Sequence, residues 1–228
     1  DTIRFADLGS KRFGKKMIDD DFYYDYLGKA ALSSSTIKHL LKSPKKYKYL
    51  TKYAQPMTPA MKMGWLLHCA VLEPEKFSKQ VFIDVQSRVT KKFKEAEKEN
   101  KNIFTAKERS ETERLQDAIF RNEQALKLLT KCEYEVPKIG MINGIPFRGK
   151  ADVWCKDRIV DLKTTMDIEL WEPERKYAIG SPYKLHYDVQ VFIYCTIFNI
   201  SYEKFVFLII DKGSLDIGIK DCSEEFYN

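Results

Sequence analysis

Apolar residues recur at helical spacing through the first half of this chain and at strand spacing through much of the second. Ser33, Ser34 and Ser35 offer helix caps, and Ile37, Leu40 and Leu41 follow at helical intervals, which predicts a helix interrupted at Pro44. Thr58-Pro59 opens a second helix, with Met61, Trp65, Leu66 and Cys69 on one face and an apolar run through Val71 and Leu72 to Pro74. Residues 81–85 are strand-like, and the charged stretch 91–101 reads as a solvated helix or a mobile loop. Thr105 caps one long helix whose apolar positions are Leu115, Ile119, Leu126 and Leu129.

The pattern then changes. Residues 133–141 read as a strand, Asn143-Gly144 as a hairpin turn, and residues 145–154 as the returning strand. Lys156-Asp157 is a second tight turn, and residues 158–163 form a third strand. A loop and helix around residues 167–180, an apolar helix over 187–198 and a buried strand over 205–210 complete the order. Helices, then a meander, then helix and strand predict one α/β or α+β domain over residues 1–228. Within it, residues 1–57 are an arm and helix and residues 58–228 the core. Residues 1–30 read as an irregular arm or short strands, with Asp19, Asp20 and Asp21 in a row.

Composition narrows the class. Hydrophobic residues make up 44%, which fits neither disorder nor a fibre. No apolar run approaches the roughly 18 residues of a membrane span, and no secretory signal precedes the first elements. The chain opens on Asp1 without a methionine, as a piece of a longer one does. A net charge of +6 permits a polyanionic partner without requiring one. The five cysteines, Cys69, Cys132, Cys155, Cys195 and Cys222, are odd in number and contain no Cys-x-x-Cys. This argues against a disulfide scaffold and a four-cysteine zinc site, and for reduced thiols in a cytoplasmic protein.

The most informative segment runs from Gly149-Lys150-Ala151-Asp152 to Asp161-Leu162-Lys163. Side chains alternate along a strand, so Asp161 and Lys163 point the same way, and the hairpin brings Asp152 beside them. Adjacent carboxylates repel unless a cation neutralises them, and a hard divalent ion suits oxygen ligands. A lysine beside them can orient a water or steady a phosphate oxygen, as metal-assisted phosphodiester hydrolysis requires. A bare Asp-x-Lys is also commonly a surface salt bridge on a hairpin. Other features carry two readings each. His68 is a ligand or a satisfied core histidine. Gln190 and Tyr194, at i and i+4, are a site pair or a helix-surface residue beside a core tyrosine. Glu133 and Glu135 are further metal carboxylates or a solvent-facing edge. The basic, aromatic stretch 47–53 either follows a phosphate backbone and stacks bases, or is an amphipathic helix with a solvated face. Lys11, Arg12, Lys15 and Lys16 read as a DNA-contacting arm or a mobile terminus.

Taken together, several blocks resemble the PD-(D/E)XK nuclease superfamily, in its RecB and λ-exonuclease-like branch, and in particular the RecE-type exonucleases (exodeoxyribonuclease VIII and its prophage relatives). They are Leu32-Ser33-x-Ser35 with Ser43-Pro44; Met63-Gly64-x3-His68-x3-Leu72-Glu73-Pro74-x2-Phe77; Thr105-Ala106; Glu133 ahead of Gly144 and Asp152; Val160-Asp161-Leu162-Lys163-Thr164-Thr165; and Tyr187-x2-Gln190-x3-Tyr194. The order and spacing cover most of the chain. Ala151 stands where the superfamily's name-giving proline would be.

The resemblance implies a restriction-endonuclease-like core, a central mixed sheet with an antiparallel meander flanked by helices. It implies that Asp152, Asp161, His68 and the Leu162 carbonyl hold Mg²⁺, with Mn²⁺ able to substitute, and that Glu133, rather than Glu135, is the strand glutamate. Lys163 is then the catalytic lysine. Gln190 and Tyr194 contact a DNA end or orient the site, and Tyr187 and Thr164 join them at the DNA. The implied activity is 5′ to 3′ digestion of linear double-stranded DNA, leaving 3′ single-stranded tails in phage-type homologous recombination. Implied partners are double-stranded DNA ends, a RecT-type annealing protein and further copies of the chain in a ring-shaped trimer or tetramer, in the cytoplasm of a bacterial or phage-infected cell and away from membranes. The spread of the cysteines implies no iron–sulfur cluster. Two other readings stay open: a structure-specific or RNA-directed nuclease of the same fold, and a catalytically inactive DNA-binding module. The intact Asp152, Asp161 and Lys163 argue against the latter.

Overall fold

The computed structural model describes residues 23–24, 27–53, 57–100 and 102–227. The arm carrying Lys11, Arg12, Lys15 and Lys16, and the aspartate run at 19–21, lie outside the described residues. After a turn-length helix at Leu27–Ala30 come two short helices, α1 (Ser34–Lys42) and α2 (Pro44–Lys52). Ser43 both ends α1 and caps α2, its hydroxyl accepting from the Lys46 amide, so the proline that stops one helix starts the next. α3 (Pro59–Leu72) starts where Thr58 and Pro59 predict, with the Thr58 hydroxyl accepting from the Met61 amide. After the short α4 (Pro74–Ser78) come β1 (Val81–Ile83), α5 (Lys91–Glu99) and β2 (Ile103–Thr105). The charged stretch expected as helix or loop is thus helical, with Phe93 as its buried anchor.

The single long helix expected after Thr105 is two, α6 (Ala106–Arg121) and α7 (Glu123–Leu129). Asn122 divides them: its side chain accepts from the Ala125 amide and caps a new helix. Thr105 and Glu108 close a reciprocal capping box at the head of α6.

The meander follows as β3 (Glu133–Ile142), β4 (Ile145–Cys155) and β5 (Arg158–Thr165). The helix expected near residues 167–180 is replaced by two 3-10 turns, Ile168–Trp171 and Pro173–Arg175. Then come α8 (Tyr187–Phe198), β6 (Phe205–Asp211), β7 (Ile217–Asp221) and the turn-length α9 (Glu224–Tyr227). Strand order is β3-β4-β5-β6-β7, with β5 and β6 parallel and the other neighbours antiparallel. This is the expected mixed sheet containing an antiparallel meander, flanked by helices.

Strand alternation builds two cores. Phe205, Phe207 and Ile209 of β6 pack with α8 on one face, while Val206, Leu208 and Ile210 pack with α3, α6 and α7 on the other. Every residue of β6 is buried, as suits a central strand covered on both faces. Each fully buried Leu or Ile contributes about 1.5–3 kcal/mol. The described part of the first 57 residues packs on the sheet and α8. Leu32 bridges to Phe147 of β4, and Leu32 and Ile37 pack on the α8-side core.

Cys132 and Cys155 pair as a disulfide joining the start of β3 to the end of β4, which corrects the expectation of reduced thiols at these two positions. The register that sets Glu133 opposite Trp154 places the two residues side by side. Cys69, Cys195 and Cys222 are buried and lie outside this disulfide.

Candidate metal centre

The site lies where the β3–β4 ladder skips a pair. Pairing runs Tyr134 with Val153 and Val136 with Ala151, leaving Glu135 opposite Asp152 without a ladder partner. Glu135 has φ of 51°, a left-handed conformation uncommon outside glycine. The break switches faces. Before it, Ala151 and Val136 pack on the α8-side core; after it, Val153 packs on the α3 side and Trp154 packs against Phe198 of α8. The β4–β5 ladder also stops beside Asp152, at Val153 paired with Val160. The Asp152 carboxylate fills the gap and accepts from the Leu162 amide at 2.8 Å.

α3 supplies the histidine. Leu67, Val71 and Leu72 bury the helix on the sheet, and His68 between them meets the opened strands. Its Nε2 lies 2.9 Å from the Leu162 carbonyl oxygen, and its Nδ1 3.6 Å from Asp152 Oδ1 and 3.9 Å from Glu135 Oε1. His68, Glu135 and Asp152 each offer a ligand atom, all within 4.8 Å of one another. An imidazole, two carboxylates and a nearby carbonyl fit a divalent cation that takes oxygen and nitrogen ligands.

Electrostatics agree with that donor set. Burial pushes the Asp152 carboxyl up to about 6, against the pull of His68 and with the push of Asp161. Burial opposes charging of His68, but Asp152 and Glu135 outweigh it and raise the imidazole above its ordinary value. Burial likewise acts upward on Glu135, whose carboxyl is nevertheless held low by His68 and by Lys150, 2.7 Å from Oε2.

Asp161 and Lys163 lie on the neighbouring strand and form an ion pair with each other. Asp161 is fully buried, and its Oδ1 also accepts from Gln190 Nε2 at 2.6 Å. Asp161 was expected in the metal shell, but its carboxylate is taken up by Gln190 and Lys163, and the ligand atoms that lie within 4.8 Å of one another belong to His68, Glu135 and Asp152. Burial alone would depress the Lys163 ammonium, but Asp161 and Asp152 raise its pKa above the ordinary lysine value. Its Nζ stands 5.1 Å from the centroid of the half-buried Tyr187 ring.

The glutamate assignment also changes. Glu133 is exposed and pairs with Trp154, beyond the face switch, so Glu135 is the glutamate beside His68 and Asp152. Gln190 and Tyr194 are buried, with Tyr194 in the lining of the cavity beside His68 and Asp152, and their bonds orient the site, one of the two roles expected of them. Tyr194 Oη donates to the Lys150 carbonyl at 3.1 Å and accepts from the Lys150 amide at 3.3 Å, orienting the strand that carries Asp152. Gly149 makes that approach possible: a Cβ there would sit 2.8 Å from the Tyr194 ring. Thr164 is half-buried on β5, beyond Lys163.

Sequence reading missed Lys150 and Arg148, which line a cavity of about 480 Å³ opening onto His68 and Asp152. Ser33, Ser35, Trp65 and Lys76 line it too. The two-residue turn at 143–144 carries the signal for Glu135 and Lys150. It pairs Ile142 with Ile145, and counting back along both strands sets Glu135 opposite Asp152 and Lys150 opposite Pro137.

A family model described as "PDDEXK-like domain of unknown function (DUF3799)" matches residues 33–214. No curated protein matches the chain. Among solved structures, the crystal structure of a "Putative exonuclease" from Eubacterium rectale matches with a TM-score of 0.66 at 19% identity, covering 94% of this chain and 80% of that one. Likeness at that identity speaks for the fold. The family match encloses His68, Glu135, Asp152, Asp161 and Lys163, and spans most of the chain: this protein belongs to the PDDEXK-like family DUF3799.

Proposed function

We propose that this chain is a divalent-metal-dependent DNA exonuclease of the RecE type. The observation that carries the reading is the convergence of His68, Glu135, Asp152 and the Leu162 carbonyl at a gap in the sheet, one residue from Lys163. These four groups would hold the cation, Mg²⁺ with Mn²⁺ substituting. When bound, such an ion polarises a scissile phosphate and lowers the pKa of a coordinated water. Lys163 is kept cationic by Asp161 and Asp152. It is suited to act as a fixed positive charge toward the phosphate and the attacking water. Asp161 and Gln190 hold Lys163 from below, and Tyr194 fixes β4. Arg148, Lys76 and the serines of the adjoining cavity suit a phosphodiester, and Trp65 suits a base.

The finer reading extends the resemblance in sequence. Digestion runs 5′ to 3′ on linear duplex DNA and leaves 3′ single-stranded tails for recombination in the cytoplasm. The chain works as a ring-shaped trimer or tetramer with a RecT-type annealing partner. No described helix is long and apolar enough to cross a membrane.

The test is digestion of a linear duplex labelled at its 5′ or its 3′ end, with Mg²⁺ and with EDTA, beside Lys163→Ala. Mg²⁺-dependent release of mononucleotides from the 5′ end, lost in the variant, is the expected result. Cleavage confined to nicked, branched or RNA substrates would assign the site to another nuclease of this fold. Binding without cleavage would assign it to an inactive DNA-binding protein.

A further inference from the structure

The cations of this chain are unevenly placed. From Tyr26 to Leu72 the sequence holds eight lysines and no aspartate or glutamate, so this stretch alone exceeds the formal charge of +6 for the whole chain. Its described part includes α1 and α2. On α2, Lys45, Lys46, Lys48 and Lys52 are all exposed, and none forms an ion pair among the described residues. Clustered cations without counter-charges repel one another and are stabilised by a polyanion.

Aromatic rings share this helix. Tyr49 and Tyr53 are 54% and 53% exposed, and their ring centroids lie 4.8 Å apart. An exposed aromatic pair gains little from a duplex, whose bases already stack on each other. It gains from unpaired bases, which stack on aromatic rings whatever their sequence. The helix is also tied to the candidate site. α1 starts at the cavity with Ser33–Ser35, and its Lys38 stands 4.5 Å over the Tyr187 ring that also faces Lys163. α2 follows α1 after Ser43 alone.

We infer that α2 is a binding surface for single-stranded nucleic acid, its lysines meeting successive phosphates and its Tyr49–Tyr53 pair taking an unpaired base. This deepens the nuclease reading by giving the unpaired strand near the site a path over the protein.

The test is fluorescence anisotropy of a labelled oligothymidylate in EDTA, where nothing is cleaved, over a series of salt concentrations and beside a labelled duplex. One variant carries Lys45→Gln, Lys46→Gln, Lys48→Gln and Lys52→Gln; another carries Tyr49→Ala and Tyr53→Ala. Thermal melting checks that both fold, as exposed substitutions should allow. The lysine variant should bind oligothymidylate at least about tenfold more weakly, with a salt slope flattened by about 0.7 for each phosphate that a lysine no longer neutralises. The tyrosine variant should weaken oligothymidylate about fivefold or more, keep the slope, and leave the duplex unchanged. Oligothymidylate affinities within twofold of the unmodified chain in both variants would overturn the inference. So would a lysine effect without a tyrosine effect, or equal tyrosine losses on single strand and duplex. Lys163→Ala, run alongside in Mg²⁺, should fail to cleave. Its cleavage therefore reports on the nuclease site independently of α2.

Discussion

Glu135 of β3 stands opposite Asp152 of β4 at a skipped rung of their ladder, and both carboxylates face His68 of α3. Of these two carboxylates, Glu135 is held low by His68 and Lys150, while Asp152 without a cation holds a proton that an unfolded chain would release. For Asp152, pushed up to about 6 by burial, the folded state keeps a proton above pH 4 that the unfolded state loses. Stability of the metal-free protein therefore falls as pH rises through that window. His68, raised above its ordinary value, adds stability at acid pH that is lost as pH climbs through its folded pKa. Both act in the same direction, so metal-free stability should decline by on the order of 1–3 kcal/mol from pH 5 to pH 8, as read by urea unfolding in EDTA.

The same protons compete with a metal. Mn²⁺ affinity should rise with pH over that range, because His68 and Asp152 must release protons to bind it. Titration calorimetry in buffers of different ionisation enthalpy would detect the released protons. An affinity flat from pH 5.5 to pH 8 would exclude these two as ligands.

Cation identity should separate binding from turnover. Ca²⁺ takes longer, looser coordination than Mg²⁺, so it should support DNA binding while cleavage falls at least about a hundredfold. Mn²⁺ should bind more tightly than Mg²⁺, because His68 offers a nitrogen ligand. Equal turnover with Ca²⁺ and Mg²⁺ would contradict the assignment of this site to metal-assisted hydrolysis.

Two glycines make a matched pair. At Gly149 a Cβ would press on Tyr194 and Ile197, with contacts of 2.8–3.0 Å, so Gly149→Ala should destabilise by about 1–3 kcal/mol and lower activity through β4. At Gly64, inside α3, a Cβ meets nothing within 4 Å, so Gly64→Ala should stabilise by up to about 1 kcal/mol. Thermal melting of the two variants gives opposite shifts if the packing is as described.

The hairpin turns, the buried helix α8 and the buried strand β6 were legible because their signals are local. Asn143-Gly144 fixes a turn, and unbroken apolar runs mark buried elements. What failed depended on one residue overriding a period. Alternation places Glu133 and Glu135 on one face, but the left-handed Glu135 breaks it and leaves Glu133 exposed beside Trp154. Asn122 split a helix whose apolar spacing runs on across the break. β7 escaped notice because five residues with a glycine in second place, Ile217–Asp221, pair only when β6 is already in place. Gln190 and Tyr194 were legible by spacing, but spacing alone could not choose between contacting DNA and orienting Asp161 and β4.

The central claim is that His68, Glu135 and Asp152 hold the catalytic cation. Its most direct test is Mn²⁺ titration calorimetry, with Mg²⁺-dependent digestion of linear duplex, on Glu135→Gln and Glu133→Gln side by side. The account predicts that Glu135→Gln loses Mn²⁺ affinity at least about tenfold and loses digestion with it, while Glu133→Gln matches the unmodified chain in both. Loss of metal and activity in Glu133→Gln, with Glu135→Gln unaffected, would contradict it.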